Sequence, residues 1–147
     1  MGGLRNFKKY IMVSTKKIFI IEDDINLLSG LQAKLRVDGF LVETSSGNCG
    51  INELVNNIKL SKPDYIILDL ILPCLDGFEI LKSVKSGKDL QGVPVFIFTN
   101  LSDEDTRSRS KKLGADYYFI KDDFMIDDFV LKFKKIISNK ERATRNA

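Results

Sequence analysis

The sequence predicts an α/β fold, a five-stranded parallel sheet with helices on both faces. Three observations carry that expectation. Short apolar runs and helical stripes alternate five times along the 147 residues. Four of the runs are apolar at every position, as parallel strands covered on both faces are, with no polar alternation. Turn-forming residues punctuate the chain at Gly39, Pro63, Gly92 to Pro94 and Gly114.

The first strand is read from Ile18 to Ile21, and Leu27, Leu28, Leu31 and Leu35 then make one apolar stripe of a helix. A weaker run, Phe40 to Thr44, suits an edge strand. Ile51, Leu54, Val55 and Ile58 repeat the i, i+3, i+4, i+7 spacing of a second helix. The third strand is Tyr65 to Leu68. The helix after it opens with Asp76 and Glu79 at capping-box spacing and continues through Ile80, Leu81 and Val84. Val95 to Phe98 is the fourth strand, and Ser102 to Leu113, nearly all polar, is a weakly anchored helix. Tyr117 to Ile120 is the fifth strand. Ile126, Phe129, Val130, Phe133 and Ile137 mark one side of the last helix, after which only Ser138 to Ala147 remain.

A chain of this length supports one domain with a real core. Its 44% hydrophobic and 29% charged residues are those of a soluble globular protein, and no apolar run approaches the ~20 residues of a membrane span. Near the start, only Tyr10 to Val13 is apolar, too short for a secretion signal, so the expected location is the cytoplasm. There is no histidine, and Cys49 and Cys74 stand far apart with no CxxC pair. Zinc sites and Ser/His or Cys/His nucleophiles are thereby nearly excluded, and both cysteines are expected to be buried or semi-buried free thiols.

The net charge of +3 divides unevenly. Residues 1–17 hold five basic and no acidic side chains, and residues 132–147 hold six basic and one acidic, while residues 18–131 hold 12 basic and 19 acidic. Basic ends thus flank an acidic body, which argues against a nucleic-acid-binding face there.

In parallel sheets ligands bind beyond the carboxyl ends of the strands. The residues that follow the apolar runs are Glu22, Asp23 and Asp24 after the first, Asp69 after the third, Thr99 after the fourth and Lys121 after the fifth. Singly, each is an ordinary solvated or capping residue. If the first and third strands are neighbours, however, three carboxylates converge on one small volume. Converging carboxylates raise one another's pKa unless a cation offsets them, and a hard divalent ion, Mg²⁺ or Mn²⁺, suits oxygen ligands. A hydroxyl and an ammonium on the other side suit a phosphoryl oxygen. The set has the parts for phosphoryl transfer to a carboxylate.

The segments IFIIEDD, DYIILDLILPCLDGFEIL, VPVFIFTN and LGADYYFIKDD, over about residues 17–138, resemble in order and spacing the signature blocks of bacterial two-component response-regulator receiver domains, including single-domain, chemotaxis-regulator-like members. The resemblance implies a flavodoxin-like (βα)5 sheet of strand order 2-1-3-4-5. It implies that Asp69 accepts a phosphoryl group, that Glu22, Asp23, Asp69 and the main-chain carbonyl of Ile71 hold Mg²⁺ (or Mn²⁺), that Thr99 and Lys121 bind phosphoryl oxygens, and that Tyr118 is the aromatic switch residue. Such a domain is not a turnover enzyme but a phosphoacceptor that catalyses its own phosphorylation and slow self-dephosphorylation. The implied partners are a sensor histidine kinase or histidine phosphotransfer protein, which must supply the phosphohistidine this chain lacks, and a downstream protein. The latter would dock on the face of the fourth helix, fifth strand and fifth helix. Neither nucleic acid nor membrane is an implied direct partner, and a phosphorylation-dependent homodimer is allowed.

The expected organisation is a flexible N-terminal extension over 1–15, a receiver domain over 16–138 and a basic C-terminal tail over 139–147. Residues 1–11 are expected to lie outside the fold, the alternative being a short helix docked through Leu4, Phe7 and Ile11. Ending where it does, the chain reads either as a single-domain regulator or as part of a longer one. Two residues depart from the family pattern: Asn100 where a small residue is usual, and Asp122 where proline is common. They keep open a rival reading, a receiver-like binding module that acts without phosphorylation. With Asp in place of proline, the peptide after Lys121 is expected to be trans, since cis would cost about 2.5 to 4 kcal/mol. A haloacid-dehalogenase-like phosphatase is disfavoured because it needs a second Asp where Ile71 stands.

Overall fold

The computed structural model describes residues 16–48 and 50–146. Strands β1 (Lys17–Ile21), β2 (Leu41–Ser45), β3 (Tyr65–Leu68), β4 (Val95–Thr99) and β5 (Tyr117–Ile120) form one sheet in the order β2-β1-β3-β4-β5. Every pairing is parallel. Helices α1 (Ile25–Val37), α2 (Ile51–Ser61), α3 (Gly77–Ser86), α4 (Glu104–Lys112) and α5 (Ile126–Arg145) connect and follow the strands.

Two apolar layers sandwich the sheet. On one face Ile18, Ile20, Ile67, Phe96 and Phe98 pack with Leu31 and Leu35 of α1 and with Phe129, Val130 and Phe133 of α5. On the other, Phe19, Ile21, Ile66, Leu68 and Ile97 pack with Leu54 and Ile58 of α2 and Ile80, Leu81 and Val84 of α3. In β1, β3 and β4 the alternation is thus between two buried faces, which is why these runs read as continuously apolar, whereas the edge strand β2 is exposed at Leu41 and Glu43. The expected stripes of α1, α2, α3 and α5 all face these layers. Strand β5 is the exception. Its run is as apolar as the others, yet all four residues are only half-buried, because it is an edge strand with the polar helix α4 nearby.

Helix starts follow from capping chemistry. Asp24 caps α1 by accepting from the N–H groups of Asn26 and Leu27, Asp76 caps α3 by accepting from Phe78, and Asp103 caps α4 by accepting from Thr106. The reciprocal arm of the capping box, from Glu79 back to Asp76, is not formed among the described residues. Helix α4 buries Ser110 alone. It is held instead by its charge pattern, Glu104 and Asp105 in the first turn and Arg109, Lys111 and Lys112 in the last, and by two guanidinium contacts. Arg107 stands 4.9 Å from the Tyr118 ring centroid and Arg109 stands 4.0 Å from that of Phe78.

Two expectations are corrected. Helix α5 continues to Arg145 instead of giving way to a tail near Ser138. Lys140, Glu141, Arg142 and Ala143 in the added turns are good helix formers, and Glu141 is gripped by the Tyr65 hydroxyl, which donates to Oε1 at 3.0 Å. Cys74, expected to be buried or semi-buried, is exposed, because it lies in the loop between β3 and α3. Cys49 and the N-terminal extension, with Leu4, Phe7 and Ile11, lie outside the described residues. No peptide bond among the described residues is cis, so the one after Lys121 is trans as expected.

Candidate functional site

The carboxyl ends of β1 and β3 lie side by side because Ile21 pairs with Leu68. Just past them, Glu22 and Asp69 are still held by the backbone: the Glu22 N–H donates to the Ser45 carbonyl at 3.0 Å and the Asp69 N–H to the Ile21 carbonyl at 3.0 Å. Both residues are buried, 2% and 4% exposed, whereas Asp23 is exposed. Carboxylate oxygens of Glu22, Asp23 and Asp69 lie within 4.8 Å of one another. The fourth acidic residue, Asp24, is used up in capping α1.

Lys121 enters the same volume from the end of β5. Its ammonium lies 2.5 Å from Glu22 Oε1 and 2.6 Å from Asp69 Oδ2. Burial pushes the Glu22 carboxyl up to about 7; the hydrogen bond from Lys121 opposes this and the charge of Asp69 adds to it. Burial acts to lower the Lys121 ammonium, but the hydrogen bonds to Asp69 and Glu22 and their charges outweigh it, and the net shift is upward. One ammonium therefore leaves this three-carboxylate cluster short of positive charge. Compact, hard oxygen donors with residual negative charge fit Mg²⁺ or Mn²⁺.

The loop after Asp69 is built tightly. Asp69 Oδ1 accepts from the Ile71 N–H at 3.1 Å, Ile71 forms a bridge with Asp76, and the Gly77 N–H donates to the Leu70 carbonyl at 3.3 Å. A Cβ at Gly77 would collide with the Leu70 backbone. This glycine fixes the loop that carries Ile71, which is 52% exposed. Sequence reading did not single Gly77 out. The only available signal was a glycine directly after a capping aspartate, where a helix former would otherwise be expected.

Thr99 closes β4 and is fully buried; its Oγ1 accepts from the Leu101 N–H at 3.5 Å. Tyr118, beside Ile97 in the sheet, is half-buried, and its hydroxyl donates to the Leu101 carbonyl at 2.6 Å. Burial, with the Asp103 charge next, raises the Tyr118 phenol above its ordinary range. The structure thus brings Glu22, Asp23, Asp69 and Lys121 into one cluster and leaves Tyr118 tied to the β4–α4 loop. The two residues outside the usual pattern meet each other: the Asp122 N–H donates to Asn100 Oδ1 at 3.0 Å.

Comparisons with known proteins bear on the family and the fold. The family model described as the response regulator receiver domain matches residues 18–132. Among curated proteins, the transcriptional regulatory protein PrrA of Mycobacterium leprae is 30% identical over 85% of this chain and 51% of its own length. The chain spans about half the length of the curated relatives it matches. Among solved structures, a CheY-like receiver domain protein from Methanospirillum hungatei superposes with a TM-score of 0.75 at 24% identity, covering 88% of this chain and 99% of that one. The phosphorylated cyanobacterial phytochrome response regulator RcpA superposes with a TM-score of 0.62 at 30% identity, covering 73% and 81%.

Proposed function

The chain belongs to the response regulator receiver domain family, and from that premise we propose that it is a phosphorylation switch whose acceptor is Asp69. The observation that carries the reading is the Lys121 ammonium set between Glu22 and Asp69 inside a cluster of three carboxylates. The phosphoryl donor is a phosphohistidine on a sensor kinase or phosphotransfer protein. A carboxylate oxygen of Asp69 forms the new O–P bond as the donor's N–P bond breaks, and the imidazole leaves with the electron pair. Lys121 stays beside Asp69 and pairs with a phosphoryl oxygen, and Thr99 supplies a hydroxyl to another. Glu22, Asp23, Asp69 and the Ile71 carbonyl would hold Mg²⁺, which when bound adds positive charge against the phosphoryl oxygens.

The domain catalyses its own phosphorylation and slow self-dephosphorylation but turns over no separate substrate. Its output is protein docking on the face of α4, β5 and α5, directly or through a phosphorylation-dependent homodimer, in the cytoplasm. A switch needs an element that is cheap to rearrange, and α4, with one buried residue, is that element.

The test is intact mass after incubation with acetyl phosphate and Mg²⁺. A gain of one phosphoryl group is expected, absent in Asp69→Asn and in EDTA. A gain that persists in Asp69→Asn, or appears equally in EDTA, would overturn the metal-dependent assignment to Asp69, and no gain at all would favour docking without phosphorylation.

A further inference from the structure

We propose that Asn100 is a positioning residue for Lys121, acting through its side-chain clasp on the Asp122 N–H. The proposal rests on the reading of Lys121 as the cation that pairs with the phosphoryl group. Pairing between β4 and β5 ends at Thr99 and Ile120. One residue later both strands have left the sheet, and Lys121 begins a short 3-10 turn, Lys121–Asp123. The N–H groups of a first helical turn have no acceptor within the turn. Asn100 Oδ1 supplies one to Asp122 at 3.0 Å, from a loop 22 residues away in sequence.

The clasp therefore carries the tie between the two strands one step beyond their last backbone pair. Lys121 is held on both sides, by Ile120 in the sheet and by Asp122 in the clasp, and the Phe124 N–H closes the turn on the Lys121 carbonyl at 3.1 Å. This matters because a lysine is a point charge on a flexible four-carbon stem. For its ammonium to meet Glu22 at 2.5 Å and Asp69 at 2.6 Å together, the stem must start from a fixed place. Thr99, the residue before Asn100, is fully buried, so the clasp is anchored to the core.

Two changes remove the clasp by different routes. Asn100→Ala deletes the acceptor and also opens space beside Thr99. Asp122→Pro deletes the donor and leaves the Asn100 side chain in place. Each should lower the rate of Asp69 phosphorylation by acetyl phosphate and Mg²⁺ by about three- to tenfold, and the double variant should be no slower than either single one. Asn100→Asp, which keeps an acceptor oxygen, should recover part of the loss. Hydrogen exchange of the Asp122 amide and of the Lys121 ammonium protons, read by NMR, should speed up in Asn100→Ala.

A faster rate in Asn100→Ala with Asp122→Pro unchanged would overturn the proposal and make Asn100 a gate. Lost Asp122 protection with an unchanged rate would overturn it as well, as would losses that add in the double variant. If the wild-type protein accepts no phosphoryl group, the functional reading fails, and the clasp stands or falls on the exchange of the Asp122 and Lys121 protons.

Discussion

The Tyr118 hydroxyl donates to the main-chain carbonyl of Leu101 over 2.6 Å, so the ring on β5 and the loop that leads into α4 are tied by one bond. Leu101 in turn reaches Thr99 Oγ1 through its N–H. Tyr118→Phe keeps the ring and deletes the bond. It should cost about 0.5–1.5 kcal/mol in urea denaturation and should speed amide exchange across Glu104–Lys112. Unchanged exchange in that helix would mean that the bond does not restrain it.

Glu22 makes the metal-free protein sensitive to pH. Its carboxyl, pushed up to about 7 by burial, binds a proton in the folded state that the unfolded chain, near 4.5, has already released. The folded state then holds more protons between those two values, so stability falls as pH rises through that window, by up to about 3 kcal/mol. Urea midpoints at pH 5 and pH 7.5 should differ in this direction, and Glu22→Gln should flatten the difference. Mg²⁺ should stabilise the wild-type protein more at pH 7.5 than at pH 5.

Gly77→Ala places a methyl group against the Leu70 backbone, which cannot yield as a flexible side chain would. A cost of about 1–3 kcal/mol is expected, together with weaker Mg²⁺ binding measured by calorimetry, since the displaced loop carries the Ile71 carbonyl proposed as a ligand. Gly92→Ala, where an added Cβ meets nothing within 4 Å, is the control and should change neither.

Once formed, the acyl phosphate should decay slowly. The residues two beyond the acceptor and two beyond the threonine are Ile71 and Leu101, and neither side chain can orient water. Losing one positioning hydrogen bond costs on the order of 1–3 kcal/mol, so a tenfold slowing is the scale to expect against Ile71→Asn or Leu101→Glu. A wild-type decay rate that already matches both variants would sink this expectation.

Much of the fold was legible because burial on both faces writes β1, β3 and β4 as unbroken apolar runs, and the residue that follows a run falls at the sheet's carboxyl edge. Glu22, Asp69, Thr99 and Lys121 could be listed from that rule alone. What the rule cannot reach is contact between loops. The bond from Asp122 to Asn100 joins two positions that each looked like a separate departure from pattern, and the lack of room at Gly77 depends on a backbone seven residues earlier. The half-burial of β5 was hidden for a related reason, since composition records what a strand is made of and not which side has a neighbour. The end of α5 was misplaced because the apolar stripe stops at Ile137, while the grip on Glu141 comes from a tyrosine on β3.

That grip gives the last helix a mechanical character. Ile137 is its final core residue, and the part beyond, to Arg145, projects about 12 Å at 1.5 Å per residue. Tyr65 holds this arm through Glu141, and it opens the strand that leads to Asp69. A tilt of about 10° at Glu141 would carry the helix end at Arg145, four residues on, through about 1 Å. Any shift of β3 at Tyr65 would thereby reach a helix end that carries Lys140, Arg142 and Arg145.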